Sequence, residues 1–408
     1  MRLTTTLFLS LFFASGISMA QGQNTWTKKA GFGGLKRERA VGFSIGDFGY
    51  VATGEDTVNA THNDLWQYDP TLDSWTQKAD LPASPRRNAI AFTLNDKGYV
   101  GTGIDSSESS LGIELKDFWE YDPETNTWDQ KADYPGGGGL GVYYAGCFVA
   151  DNKGYVTCGK YGPSSYAFDL WEYKPATDTW AQRANFPGGV RYAVSALAID
   201  NKGYVGMGID QDLYRKDWWQ YDPATNIWEQ RANLPGSERG AASTFTLGSR
   251  GFVVFGADGG FKDEVWQYNP YSDSWNIKAN FPGGERRNAI AFTIGNKAYA
   301  GIGKGPSGIR QNFYEYTPAL PLSVDENEMI RVQLYPNPAT DYVTIFLQQE
   351  SDAHWLVVTD QAGRLVETVA VNSQTVELDR GAKSDGLYYV TILNNQHKSI
   401  AQTTLIFN

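Results

Sequence analysis

Cysteine is nearly missing from this sequence: Cys147 and Cys158 are the only two in 408 residues. Disulfides therefore cannot hold the fold together, and packing must. Histidine is almost as scarce, and between residues 24 and 318 only His62 occurs. A serine or cysteine nucleophile there lacks the imidazole base that would activate it. Lys/Arg-rich runs are absent and the net charge is −11. That excludes a nucleic-acid surface, because phosphate binding draws most of its affinity from clustered cations. No carboxylate spacing resembles a calcium loop, so neither metal nor other cofactor is expected. Long apolar runs are missing too. The one apolar stretch, residues 7–13, is too short to span a bilayer, and no later segment approaches the roughly twenty residues needed. It follows Met1-Arg2 and precedes Ser18-Met19-Ala20, the pattern of a secretory signal over residues 1–20. The mature chain is expected from Gln21, without a transmembrane segment. No cysteine follows the cleavage site, so a lipid-anchored amino terminus is not expected.

What the chain has instead is 14% aromatic residues and 44 glycines, a composition for short strands and tight turns. One phrase recurs: Leu65-Trp66-Gln67-Tyr68-Asp69-Pro70 leading to Trp75, then Phe118-Trp119-Glu120-Tyr121-Asp122-Pro123 leading to Trp128. The closing tryptophans stand at 26, 75, 128, 180, 228 and 275, a period of roughly 47 to 53 residues, as in propeller blades. Within a repeat, Ile90, Phe92 and Leu94 alternate with small Ala89 and Ala91, which suits a crowded innermost strand. The turn Asn95-Asp96-Lys97-Gly98 follows, then a second strand in which Gly101 and Gly103 permit close backbone approach. A loop of changing length leads to the Trp119/Tyr121 strand and the outer strand at Trp128. Tyr50, Tyr99, Tyr155, Tyr204, Phe252 and Tyr299 mark six repeats. The sixth lacks its tryptophan strand, and Asn24-Thr25-Trp26 at the front of the chain supplies it, closing the ring and hiding an open edge.

This grammar resembles the kelch repeat over residues 24 to 318: an arginine before the first strand, a glycine turn, a Tyr-x-x-x-Gly second strand and paired Trp and Tyr positions. The first of the usual adjacent glycines is replaced, as in Thr53-Gly54, Thr102-Gly103, Cys158-Gly159 and Met207-Gly208. The expected fold is all-β, a six-bladed kelch-type propeller over residues 21–319 closed by an N-terminal strand. A linker over 320–330 and a small Ig-like β-sandwich over 331–408 follow. The tail phrases Leu334-Tyr335-Pro336-Asn337-Pro338-Ala339, Asp360-Gln361-Ala362-Gly363-Arg364-Leu365-Val366 and Gly386-Leu387-Tyr388-Tyr389-Val390 resemble the type IX secretion sorting domain. That resemblance implies a Bacteroidota source, contact with the secretion machinery and export across both membranes to the cell surface or medium. It also implies frequent removal of the domain with attachment to lipopolysaccharide. The terminal lysine often seen is absent here.

Candidate site residues lie in the loops at one mouth of the channel. Thirteen residues before each second-strand aromatic stands Arg37, Arg86, Arg191, Arg239 or Arg286, with Val142 in the third repeat. Two residues on come Arg39, Asn88, Tyr144, Ala193, Ala241 and Asn288, expected to share the same face because a strand repeats its face every second residue. Guanidinium, amide and phenol groups suit carboxylates or sugar hydroxyls. The competing expectation is that the five arginines brace the loops by pairing with Asp64, Asp117, Asp217 or Asp263. Asp105 and Asp210, in the varied loops between second and third strands, complete the candidate set, beside Glu114 and Asp212.

Three functions follow as expectations. The first is a secreted or surface-bound monomeric module that holds a glycan or a protein. The second is an extracytoplasmic sugar epimerase or mutarotase, like the six-bladed sialic acid epimerases, with Glu38, Glu238 or Glu285 as acid or base. The third is a structural surface protein. Copper radical oxidation of galactose, known among kelch propellers, needs two histidine ligands and is excluded by the single His62. Cys147 and Cys158 flank one hairpin turn. A two-residue loop at Asn152-Lys153 sets them opposite each other, whereas a three-residue loop with left-handed Gly154 sets them on opposite faces, so a disulfide and two free thiols both stay open.

Overall fold

The inward strands form where large and small residues alternate. Val41–Ile45, Ile90–Leu94, Gly146–Ala150, Ser195–Ile199, Ser243–Leu247 and Ile290–Ile294 each bury every second side chain. In the computed structural model, which describes residues 24–106, 112–162, 164–318, 332–347, 353–360, 364–381, 383–394 and 399–408, each of these begins a four-stranded antiparallel sheet. The six sheets are the blades of a propeller, numbered here 1 to 6 in chain order. The expected signal segment 1–20, the linker 320–330 and the turn at Gln361-Ala362-Gly363 lie outside the described residues.

Packing between blades depends on one small position. The side chains of Phe43, Phe92, Phe148 and Phe292 press on the second strand of the next blade, at Gly98, Gly154, Gly203 and Gly49 respectively. A β-carbon at any of these glycines would fall inside the facing ring. On the outside, each closing tryptophan donates its indole N–H to an alanine carbonyl of the preceding blade, as in Trp128 to Ala79 (2.8 Å) and Trp180 to Ala132 (2.9 Å). Blade 6 obeys the same rule with a strand from the other end of the chain. Thr25–Lys29 pairs antiparallel with Phe313–Thr317, setting Trp26 opposite Tyr316, and Trp26 donates to Ala279 (3.1 Å) and packs edge-on against Phe281.

The two cysteines follow neither turn geometry foreseen above. The hairpin loop is a two-residue turn at Asp151-Asn152, both left-handed, so Cys147 faces Val156. Cys147 packs between blades 2 and 3 and Cys158 between blades 3 and 4. Both are free thiols, pushed up to about 12 by burial.

Contacts divide the chain between Leu320 and Pro321. In the second unit, Val332–Tyr335, Tyr342–Leu347 and Thr375–Asp379 form one sheet, and Leu365–Ala370, Ala353–Asp360, Gly386–Asn394 and Ser399–Phe407 form another. Val343, Ile345, Leu356, Val390 and Phe407 fill the core between them.

Removing residues 25–29 should lower the propeller's unfolding midpoint sharply. Trp26→Ala alone should cost about 2 kcal/mol in denaturant unfolding, less than the roughly 3–5 kcal/mol of a fully buried aromatic because Trp26 is half-buried. An unchanged midpoint in the deletion would contradict closure by this strand.

Candidate functional site

Three consecutive residues enter each innermost strand, and their side chains go three ways. The first is the repeated arginine. Arg37, Arg86, Arg191, Arg239 and Arg286 are at most 2% exposed, so they offer no guanidinium to a ligand at the mouth. Each is held inside its own blade. Arg86 forks onto both Asp117 oxygens at 2.7 Å and donates to the Thr102 carbonyl (3.1 Å). Arg37 does the same with Asp64 and Thr53, while Arg191 reaches one Asp217 oxygen (2.6 Å) and the Met207 carbonyl and turns its other nitrogen to the Gly188 carbonyl. In blade 5 the partner is Glu264 (2.5 Å) rather than Asp263. Burial works to raise the Asp64 and Asp117 carboxyls, but the arginine hydrogen bonds and charge, with the Trp66 and Trp119 indoles, outweigh it and hold both below the usual range.

Two blades depart from this clamp. Blade 3 has Val142 where the arginine stands elsewhere, and there the Asp169 Oδ1 and the Tyr134 hydroxyl are buried without a hydrogen-bond partner among the described residues. Blade 6 keeps Arg286 but gives it neutral Asn312 (3.0 Å). Burial, and then the neighbouring Arg310, lower that guanidinium below its ordinary value.

The third residue of each entry is left-handed: Arg39, Asn88, Tyr144, Ala193, Ala241 and Asn288 all have φ between 51° and 61°. Each donates its backbone N–H to the carbonyl of its counterpart in the preceding blade, at 2.8–3.1 Å. Arg39 donates to Asn288, Asn88 to Arg39, Tyr144 to Asn88, and so on until the circle of six closes. The positive φ turns the chain away from simple alternation. In blades 3 to 6 it is therefore the second residue of the entry, Tyr143, Tyr192, Gly240 or Arg287, rather than the first, that joins the third at the mouth.

A cavity of about 330 Å³ opens there. Its lining combines Arg39, Arg287 and Asn288 on one side with Tyr143, Tyr144, Tyr192 and Lys160 on the other, while Ala193 and Ala241 leave the floor low. Of the sequence candidates, Arg39, Tyr144 and Asn288 meet in this lining. Asn88, Asp105 and Asp210 do not: Asn88 is buried in the ring, Asp105 is buried and pairs its backbone with Ile113, and Asp210 is tied to Arg215 (2.7 Å). Glu238 and Glu285 are exposed outside it. Glu38, 2% exposed, accepts from Asn288 (2.8 Å) and lies near Lys304 (3.5 Å), while Glu55 holds Arg39 (2.8 Å) and Arg87. Burial opposes charge on Arg39, but Tyr144, Glu38 and Glu55 more than offset it and hold the guanidinium above its ordinary value.

Arg287, Tyr143, Tyr192 and Lys160 were not among the sequence candidates. The visible signal for Arg287 is the doublet Arg286-Arg287, repeated as Arg86-Arg87, in which the first arginine is buried and the second is not. Among the described residues Arg287 has no carboxylate partner, and its Nε is buried without a hydrogen bond while the guanidinium packs on Phe261. Lys160 likewise has no ion pair and sits over the Tyr166 and Tyr192 rings at 5.8 and 5.9 Å.

Residues 333–406 match the secretion system C-terminal sorting domain. The second unit is an export address. A solved structure, "Structure of YjhT", superposes with a TM-score of 0.59 at 16% sequence identity, covering 70% of this chain and 96% of that one. The first unit is a six-bladed propeller, and the matched tail marks the protein for type IX export to the cell surface or the medium. No curated protein matches the chain.

The clamps predict an acid response. Asp64, Asp117 and Glu264 have depressed folded-state values, so their contribution is whole above about pH 5 and drains away as pH falls below about 4. Asp117→Ala strands a buried guanidinium and should cost about 3–5 kcal/mol at pH 7. Asp169→Ala in blade 3, with no arginine to strand, should cost only about 1 kcal/mol for its Trp171 hydrogen bond. Equal costs in urea unfolding would refute the clamp as the source.

Proposed function

We propose that the exported propeller binds an acidic saccharide in the mouth pocket. The observation that carries this reading is the unequal charge of the lining, where Arg39, Arg287 and Lys160 meet no carboxylate in the cavity wall. The spare guanidinium donors of Arg287 suit a carboxylate, the Asn288 amide suits a hydroxyl, and the Tyr144 and Tyr192 rings suit the apolar face of a sugar. A volume of about 330 Å³ fits one ring rather than a protein segment.

The rival is a sugar isomerase. In its favour, Glu38 and Glu55 are buried within reach of the mouth. Both stand behind Arg39, in ion pairs and outside the lining, where they support a cation rather than exchange protons with a ligand.

A glycan array followed by calorimetry on the full chain tests the reading. Acidic saccharides should bind and neutral analogues should not. Arg287→Ala should weaken binding at least about tenfold, and added salt should weaken it further. Arg39→Ala should do the same without unfolding the protein, because Ala193 and Ala241 already occupy its position in other blades. Turnover of a free acidic sugar between isomers, seen by NMR and lost in Glu38→Gln, would favour the isomerase instead.

A further inference from the structure

The tyrosines of blades 3 and 4 form a chain of ring contacts that outruns the pocket. Tyr143 meets Tyr144 at 6.2 Å between centroids, Tyr144 meets Tyr192 at 5.9 Å, and Tyr192 stacks on Tyr166 at 5.4 Å with the planes 13° apart. Tyr143, Tyr144 and Tyr192 line the cavity, whereas Tyr166 does not. It lies beyond the cavity, in the short hairpin of Lys160–Tyr161 and Ser165–Tyr166, and is half-buried. Lys160 belongs to both places: it lines the cavity, and its Nζ lies over both stacked rings.

No structural need for this arrangement is visible in the other blades. The corresponding hairpin of blade 6 carries Lys304–Gly305 and Gly308–Ile309, and that of blade 5 is reduced to a bridge between Ala257 and Phe261. Among the described residues, blade 3 alone pairs a lysine with a stacked tyrosine across it. An unpaired ammonium over two phenol faces forms a second place of the same chemistry as the pocket, with one apolar ring face and one cation.

We infer that the ligand is an acidic oligosaccharide rather than a single sugar. Its terminal acid sits between Arg39 and Arg287, and its next unit lies on the Tyr166–Tyr192 stack with Lys160 between the two. This rests on the pocket binding acidic sugars at all, so the test separates the two. Calorimetry on the full chain would use glucuronic, galacturonic and N-acetylneuraminic acids as monomers and as linked dimers. A dimer should bind about tenfold more tightly than its monomer, the gain expected from covering one more ring face. Tyr166→Ala should abolish that gain while the monomer keeps its preference for acidic over neutral sugars, since Tyr166 lies outside the pocket although it stacks on Tyr192, and Tyr166→Phe should keep the gain. Equal monomer and dimer binding by the unaltered protein would overturn the second place and leave the pocket standing. Failure of every acidic sugar to bind would overturn both.

Discussion

The circle of six peptide hydrogen bonds at the channel mouth is the constraint on which the site depends. Left-handed backbone costs an ordinary residue about 1–2 kcal/mol, and here six non-glycine residues accept it. What offsets the cost is that each buried N–H finds a carbonyl in the preceding blade, and no blade can leave the circle without opening two bonds. The side chains at these positions are freed from holding the ring, because the backbone does that. Arginine, asparagine, tyrosine and alanine can therefore share one geometry.

The clamps beneath the circle add a second constraint, and their exceptions coincide with the site. Arginine with carboxylate neutralises the entry to blades 1, 2, 4 and 5. Blade 3 has no arginine and contributes Tyr143, Tyr144 and Lys160 to the pocket wall, and blade 6 has no carboxylate and contributes Arg287 and Asn288. The two blades that depart from the clamp face each other across the cavity. A scaffold whose other four clamps carry stability can tolerate such departures, much as binding loops vary on a fixed frame.

The fold was legible in the sequence because it comes from a repeated pattern of burial. Period, blade number and the borrowed strand at Trp26 all follow from where large residues must go, and the register of Trp26 with Tyr316 agrees with them. The site was legible only in part. Arg39, Tyr144 and Asn288 emerged from counting, but Arg287 and Tyr192 did not, since alternation assigns them to the far side of a strand. A single left-handed residue after each reverses that assignment, and the varied residue types at this position give no glycine signal to reveal it. The same limit governs Cys147 and Cys158, where moving a two-residue turn back by one position changes the facing partner from Cys158 to Val156.

The protein as a whole carries −11, yet its pocket is lined by cations, and the contrast bears on selectivity. At physiological salt the field of distant surface carboxylates fades within about 8 Å, so an approaching anion is governed by the charges at the mouth. Glu38 and Glu55 are committed to Arg39, Arg87 or Lys304, while Glu114 and Asp212 act on the lining tyrosines Tyr143 and Tyr192. Arg287 and Lys160 keep their charge uncompensated on opposite sides of the lining. A polyanionic surface with one cationic mouth disfavours adhesion to acidic polymers anywhere else on the body. For the acidic saccharide proposed above, this charge distribution would confine binding to ligands small enough at one end to enter the mouth.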